Sequence, residues 1–240
     1  MLLSVVIPVR NEAENILPLL AEIHAALAGR EFEVVYVDDG SADATPQRLA
    51  GAQGTYPGLR VLAHAESCGQ SAALVTGFRA ARGDWIVTLD GDGQNDPADI
   101  PKLLATRDAA QASNLQLVAG YRKKRQDTWL KRFSSRVANG VRSQLLGDAT
   151  PDTGCGLKLI LRSAVLELPV FDHMHRFLPA LIQRNGGATV SVEVNHRPRT
   201  RGASNYGMFD RLWVGIVDLF GVMWLQRRVR RPRVRESSRN

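Results

Sequence analysis

Residues Val87–Pro97 read VTLDGDGQNDP. The run Trp85–Leu89 has the length and composition of a buried strand, and it stops abruptly at Asp90. Asp90, Asp92 and Gln94 follow at two-residue intervals, separated by Gly91 and Gly93. In an extended chain alternate residues share a face, so two carboxylates and one amide are set to converge. Hard divalent cations take such oxygens, and Mg²⁺ completes a small protein ligand set with water and phosphate. The glycines permit a sharp turn and a close backbone approach. Asp and Gly are equally the ordinary residues of a turn, so this stretch alone leaves a metal site and a plain turn both open.

Working outward, Leu3–Val9 and Phe32–Val37 are apolar strand patterns, and Leu59–Ala63 is a third. Between them, Glu12–Leu27 places Ile16, Leu19, Leu20, Ile23 and Leu27 at helical spacing, and Thr45–Ala52 and Ser71–Arg82 read as further helices. Strands alternating with helices at this spacing predict an α/β fold with a parallel sheet and helices on both faces. In such sheets ligands bind beyond the carboxyl ends of the strands. There lie Pro8–Glu12, Asp38–Ser41 and Asp90–Gln94. Downstream, Leu115–Gly120, Asp152–Leu161 and Val190–His196 read as strands, and Trp129–Leu146 and Phe177–Arg184 as helices.

Three ordered stretches, VVIPVRNE (Val5–Glu12), VYVDDGSAD (Val35–Asp43) and Val87–Pro97, resemble the family 2 glycosyltransferases. With Gly120–Arg122 (GYR), Asp152–Lys158 (DTGCGLK) and Arg199–Gly207 (RTRGASNYG), the resemblance is to polyprenyl-phosphate, dolichol-phosphate mannosyltransferase-like, sugar transferases. It implies a glycosyltransferase A-type fold, a mostly parallel twisted sheet flanked by helices. It implies inverting, metal-dependent transfer from a nucleotide-sugar donor to a polyprenyl phosphate, with Mg²⁺ or Mn²⁺ as cofactor. Carried over residue by residue, Pro8, Arg10, Glu12, Val37, Asp39, Asp90, Gly91, Asp92 and Asn205 correspond to donor contacts. Asp39 is taken as the direct nucleoside contact in preference to Asp38, although a turn with a helix cap accounts for the same residues. Asp90, Asp92 and Gln94 correspond to the metal ligands. Arg10 stands where the family commonly has an aromatic residue.

A hydroxyl acceptor needs a carboxylate base, whereas a lipid phosphate is already anionic at neutral pH. Catalysis of the second kind rests on positioning and on cations that hold two anions together. The resemblance places Arg122, Arg136 and Arg199 in that role beside Asp92, with Asp152 and Ser204 on the acceptor side. Asn205 stands where a lysine often follows the serine, and Arg201 is the nearest replacement charge. Any single arginine is by default a solvated surface charge, and Asp152 equally suits a turn or cap. His173 and His175 have metal-like proximity without a supporting cluster and are taken as structural or acceptor-side residues.

At 240 residues, 44% hydrophobic and 23% charged, the chain suits one large domain with an appendage. The expected division is a catalytic domain over 1–207 and an amphipathic helix with an Arg-rich tail over 208–240. Two cysteines make no disulfide framework, and MLLSVVIPV lacks a basic leader and cleavage site. A cytoplasmic, membrane-peripheral location follows as the expectation. Seven arginines and one glutamate beyond Gln226 carry nearly all of the net charge of +7. The near-neutral body argues against a nucleic-acid partner. On a helix at about 100° per residue, Met208–Leu225 gathers Asp210, Arg211, Gly215, Asp218 and Gly221 in one arc, opposite an apolar half. A spanning helix needs roughly 20 apolar residues; this segment has 18, three of them charged. An in-plane helix on an anionic membrane fits better, and packing on the protein's own sheet is the other reading. A separate integral membrane protein is a further candidate partner. Competing functions are transfer to a glycan hydroxyl and a catalytically silent nucleotide-sugar-binding subunit.

Overall fold

The computed structural model describes residues 2–122, 142–198 and 208–229. Strand β1 (Leu3–Val9) is buried along its whole length, as a strand covered on both faces must be. Beside it lies β2 (Phe32–Asp38), then β3 (Leu59–Ala63) at the edge. The chain then crosses back and lays β4 (Trp85–Thr88) against the other side of β1. Among the described residues the sheet order is β3-β2-β1-β4-β6-β5-β7, with β5 at Leu115–Arg122, β6 at Lys158–Leu161 and β7 at Ala188–Val194. Pairing is parallel except for β6, which runs antiparallel to both β4 and β5.

Side chains alternate between two cores. Val5, Ile7, Tyr36 and Val87 face a layer containing α1 (Ile16–Ala26), α2 (Thr45–Gln53) and α4 (Ile100–Ala109). Val6, Val35, Val37 and Ile86 face α3 (Gln70–Ala80), α5 (Arg162–Leu166) and α6 (Leu178–Arg184). The sequence periodicity places the elements expected from it within a few residues of their observed bounds; α4 and α5 are not among them. The exception is the segment expected as a strand over Asp152–Leu161, where only Lys158–Leu161 pairs. Its first half instead curls around the end of β4, held by a 2.6 Å hydrogen bond from the Thr88 hydroxyl to the Gly156 carbonyl. Most of the helix expected over Trp129–Leu146 lies outside the described residues.

The sheet reverses its order between β1 and β4, which creates the switch point where such folds bind ligands. Pro8 sits in a central strand at no cost to the ladder. The Val6 carbonyl accepts the Leu89 N–H at 3.3 Å, so Pro8, two residues on, faces the same side just past the last β1–β4 pair, Val6 with Thr88. Its missing N–H falls where no partner strand remains.

Helix α7 (Met208–Arg227) is docked on the domain. Val222 is buried, Leu219, Met223 and Leu225 pack on the second core, and Arg184 donates to the Leu225 carbonyl at 2.9 Å. Asp218 meets the ring of His173 at 3.1 Å, so this polar residue turns inward and not to solvent. Ile216, Val217, Phe220 and Trp224 are exposed instead. The expected polar arc is thus broken by a specific hydrogen bond, and the apolar half is divided between core and surface. No described helix is long and apolar enough to cross a membrane.

Helix α3 approaches the sheet at Gly77, where a Cβ would collide with Val6 and lie 3.3 Å from Val37. Both valines are fully buried and have no room to yield. Gly77→Ala is expected to lower unfolding free energy by about 1–3 kcal/mol, the usual cost of overpacking, measured by urea denaturation with an unchanged m-value.

Candidate active site

The ends of β1, β2 and β4 are brought level by their register, Pro8 beside Val37 and Val6 beside Thr88. The loops that leave them are tied together. Asn11 donates its N–H to the Ser41 hydroxyl and accepts the Ala42 N–H, and the Glu12 N–H is taken by Thr45. Asp38 accepts both the N–H and the hydroxyl of Ser41. It is a turn-forming residue, as the turn reading of Asp38–Ser41 requires. Beyond these ends opens a cavity of about 710 Å³ lined by Pro8, Arg10, Glu12, Asp39, Asp90, Gly91, Asp92 and Arg122.

Asp90 is the centre of this cavity. Its N–H is held by the buried amide of Asn95 at 2.9 Å, and one carboxylate oxygen accepts from Gln70 at 2.8 Å. Gly156 passes so close that a Cβ there would overlap the Asp90 carboxylate, and a Cβ at Gly91 would strike Val9. Those two glycines are fixed by space and not by turn formation alone. Burial, and next the neighbouring charge of Asp92, push the Asp90 carboxyl up to about 6, against the pull of Lys158 and Arg122. Asp92 accepts the Gln94 N–H at 3.1 Å on one oxygen. The second oxygen of each acid accepts no hydrogen bond from a described residue. Two repelling carboxylates with free oxygens, facing one cavity, fit a hard divalent cation. Gln94 does not join them in lining the cavity. Its backbone carbonyl accepts the Arg197 N–H at 3.0 Å, which anchors the acidic turn to the segment after β7.

Asp39 differs from expectation in its use. One of its oxygens accepts from His64 and the Cys68 N–H, the other from Ser67 and the Gly69 N–H, at 2.7–2.9 Å. Burial opposes its ionisation, yet these bonds, led by that from Cys68, hold its carboxyl below the usual range. A carboxylate has about four lone-pair sites, and all are taken. Asp39 therefore shapes the loop that starts α3, and a direct nucleoside contact would have to displace one of these bonds. Val37, the other expected nucleoside contact, is fully buried under α3 and does not line the cavity.

Arg122 and Asp152 come together, as an internal pair. Nε and a terminal nitrogen of Arg122 grip the two carboxylate oxygens at 2.6 and 3.0 Å. Burial works against the guanidinium, and Asp152 more than restores its charge. A bidentate pair of this kind is strong and directional, so neither side chain projects as a free group. Arg136, Arg199, Arg201, Ser204 and Asn205 lie outside the described residues.

The profile of the family described as glycosyl transferase family 2 matches residues 4–168, which include every motif that lines the cavity from β1 through β6. The chain belongs to glycosyl transferase family 2. It is 35% identical to a dodecaprenyl-phosphate galacturonate synthase of Rhizobium johnstonii, over 96% of this chain and 69% of that protein. It is 37% identical to an undecaprenyl-phosphate 4-deoxy-4-formamido-L-arabinose transferase of Edwardsiella ictaluri, over 85% of this chain and 63% of that protein. Glucosyl-3-phosphoglycerate synthase from Mycobacterium tuberculosis, solved with Mn²⁺, UDP-glucose and glycerol 3-phosphate, superposes with a TM-score of 0.64 at 20% identity. That match covers 93% of this chain and 79% of the other. It establishes the shared fold of this family 2 glycosyltransferase.

His175, which the sequence singled out with His173, lines the same cavity, and sequence reasoning missed three others that do: Gln70, Lys158 and Arg176. Lys158 carried a signal, since a lysine opening the apolar run KLIL is unusual for a buried strand. Gln70 and Arg176 carried none, because their positions depend on where α3 and the turn before α6 are packed.

The raised Asp90 carboxyl has a direct consequence for stability. Between its ordinary value and about 6, the folded protein holds a proton that the unfolded chain has lost. Without divalent metal, stability from this group therefore falls as pH rises through that window. Melting curves in EDTA are expected to show Asp90→Asn gaining on the wild type from pH 4 to 6, the difference levelling above about pH 6.5.

Proposed function

We propose that this glycosyltransferase moves a sugar, with inversion, from a nucleotide-sugar donor to a polyprenyl phosphate. The observation that carries the reading is the charge arrangement of the cavity. Its carboxylates are Glu12, Asp39, Asp90 and Asp92. Glu12 accepts from Asn15 at 2.6 Å, Asp39 is saturated, and Asp90 and Asp92 form the cation-binding pair. The remaining charged lining is cationic: Arg10, Lys158 and Arg176, with Arg122 already paired to Asp152. Such a cavity suits an acceptor that arrives already anionic and needs no general base. The relatives are named for dodecaprenyl-phosphate galacturonate synthesis and undecaprenyl-phosphate 4-deoxy-4-formamido-L-arabinose transfer, which supports an acceptor of that kind.

In this reading Asp90 and Asp92 hold Mg²⁺ or Mn²⁺. The ion's contribution when bound is to neutralise charge on the departing nucleoside diphosphate. Gln70 and Asn95 fix Asp90, and Gly156 admits its carboxylate. The cationic lining steadies an anionic acceptor at the sugar, which is positioning catalysis. Arg136, Arg199, Ser204 and Asn205 keep the acceptor and diphosphate roles that the family resemblance gives them.

The same reading places the chain peripherally on the face of a membrane that carries the lipid. Phe220 and Trp224 are 64% and 59% exposed on α7, and Ile216 and Val217 extend their face. Arg228 lies over the Trp224 ring at 5.7 Å, and the arginine-rich end follows. An apolar stripe flanked by arginines suits anionic lipid. The catalytic body and this helix with its tail are the two functional parts.

Lipid-linked sugar is expected when the protein is given polyprenyl phosphate, Mn²⁺ and a screen of nucleotide sugars, read by mass spectrometry. Asp92→Ala is expected to lower turnover at least a thousandfold, and a variant of undiminished activity would remove Asp92 from the site. Phe220→Glu combined with Trp224→Glu is expected to abolish salt-sensitive flotation with anionic vesicles while leaving the melting temperature unchanged. Equal flotation would detach the helix from the account.

A further inference from the structure

One group of cavity residues is not used by the carboxylate pair. Lys158 is 3% exposed and donates to the Cys155 carbonyl. An ammonium has three donors, and among the described residues no other acceptor takes one. Asp90 and Asp152 lie within its electrostatic reach without hydrogen bonding to it. Arg176 lines the cavity, and its guanidinium has no partner among the described residues. Between them in chemistry is His175, whose ring burial, followed by the charges of Lys158 and Arg176, pushes down to about 3. That ring is neutral at any physiological pH.

Ser71 accepts the His175 backbone N–H at 3.4 Å and meets ring Nδ1 at 2.8 Å. In the tautomer in which the Ser71 hydroxyl donates to Nδ1, the ring proton stands on Nε2 and His175 is a neutral donor on the cavity wall. Two cations and a ring nitrogen therefore line one part of the cavity, and no described carboxylate hydrogen-bonds to them. A buried cation such as Lys158 is retained when an anion completes it.

We propose that Lys158, His175 and Arg176 form an oxyanion subsite, separate from Asp90 and Asp92, that receives a charged group carried by a substrate. The chemistry fits a phosphate monoester, as on the lipid acceptor, or a carboxylate on the transferred sugar. Arg176 supplies the planar two-point grip, and Lys158 a buried ammonium whose charge burial disfavours and a bound anion would restore. The turn that presents Arg176 is braced, since its N–H is held by the His173 carbonyl at 3.0 Å and the His173 ring by Asp218 of α7. Adjacent residues of α3 serve the two sites, Gln70 reaching Asp90 and Ser71 reaching His175.

The test compares the wild type with Arg176→Ala and Arg176→Lys in two arms. In the first, binding of geranyl phosphate is measured by calorimetry in EDTA, which requires neither metal nor donor. In the second, which rests on the transferase reading, affinities for UDP-galacturonate and UDP-galactose are compared in Mn²⁺. A loss of tenfold or more for geranyl phosphate in Arg176→Ala, partly restored by Lys, places the acceptor phosphate in the subsite. A tenfold loss confined to UDP-galacturonate places the sugar carboxylate there. The proposal is overturned if neither probe is affected, if the wild type binds neither, or if UDP-galactose is lost equally. Because Arg176 has no partner to lose, both variants are expected to melt with the wild type.

Discussion

A carboxylate held against its own electrostatics organises this protein. Asp90 is forced into a crowded place beside Asp92, and burial and like charge both resist its ionisation. It stays there because the surroundings leave it no alternative. Asn95 holds its backbone, Gln70 one of its oxygens, and the Gly156 backbone closes over it. Strained charge of this kind is characteristic of functional sites, and the cation proposed for Asp90 and Asp92 would relieve it. The rest of the fold supplies the frame: a central strand buried on both faces, and a crossover that puts β4 beside it.

Helix α3 is the second organising element. Its start is set by Asp39, which spends all its hydrogen-bonding capacity on the 67–69 loop. With that loop fixed, the first turn delivers Gln70 to the acid pair and Ser71 to His175. Asp39 thus acts at a distance, through backbone placement. Farther on, Gly77 lets the helix lie close against Val6 and Val37. A single helix seats both halves of the cavity.

Helix α7 joins the exposed apolar stripe and the cavity in one piece of structure. One side of α7 completes the second core through Val222, and the other shows Phe220 and Trp224 to the outside. Asp218, between the two, grips His173 at the base of the turn that carries Arg176.

Much of this was legible in the sequence. Continuous apolar runs and helical spacing located β1 to β5 and helices α1 to α3, because a strand covered on both faces is apolar nearly throughout. The carboxylates at strand ends were legible too, since a charge that ends an apolar run has nowhere else to go but a crevice. What spacing could not show was how side chains are shared across the fold. Asp39 reads as a ligand-facing acid and is saturated internally, and Arg122 reads as a free cation and is bound to Asp152. Asp218 reads as solvent-facing and turns inward. Each of these is settled by a partner 28 or more residues away. Local sequence fixes which face a residue takes; only tertiary packing brings the distant donor that decides whether its charge is free.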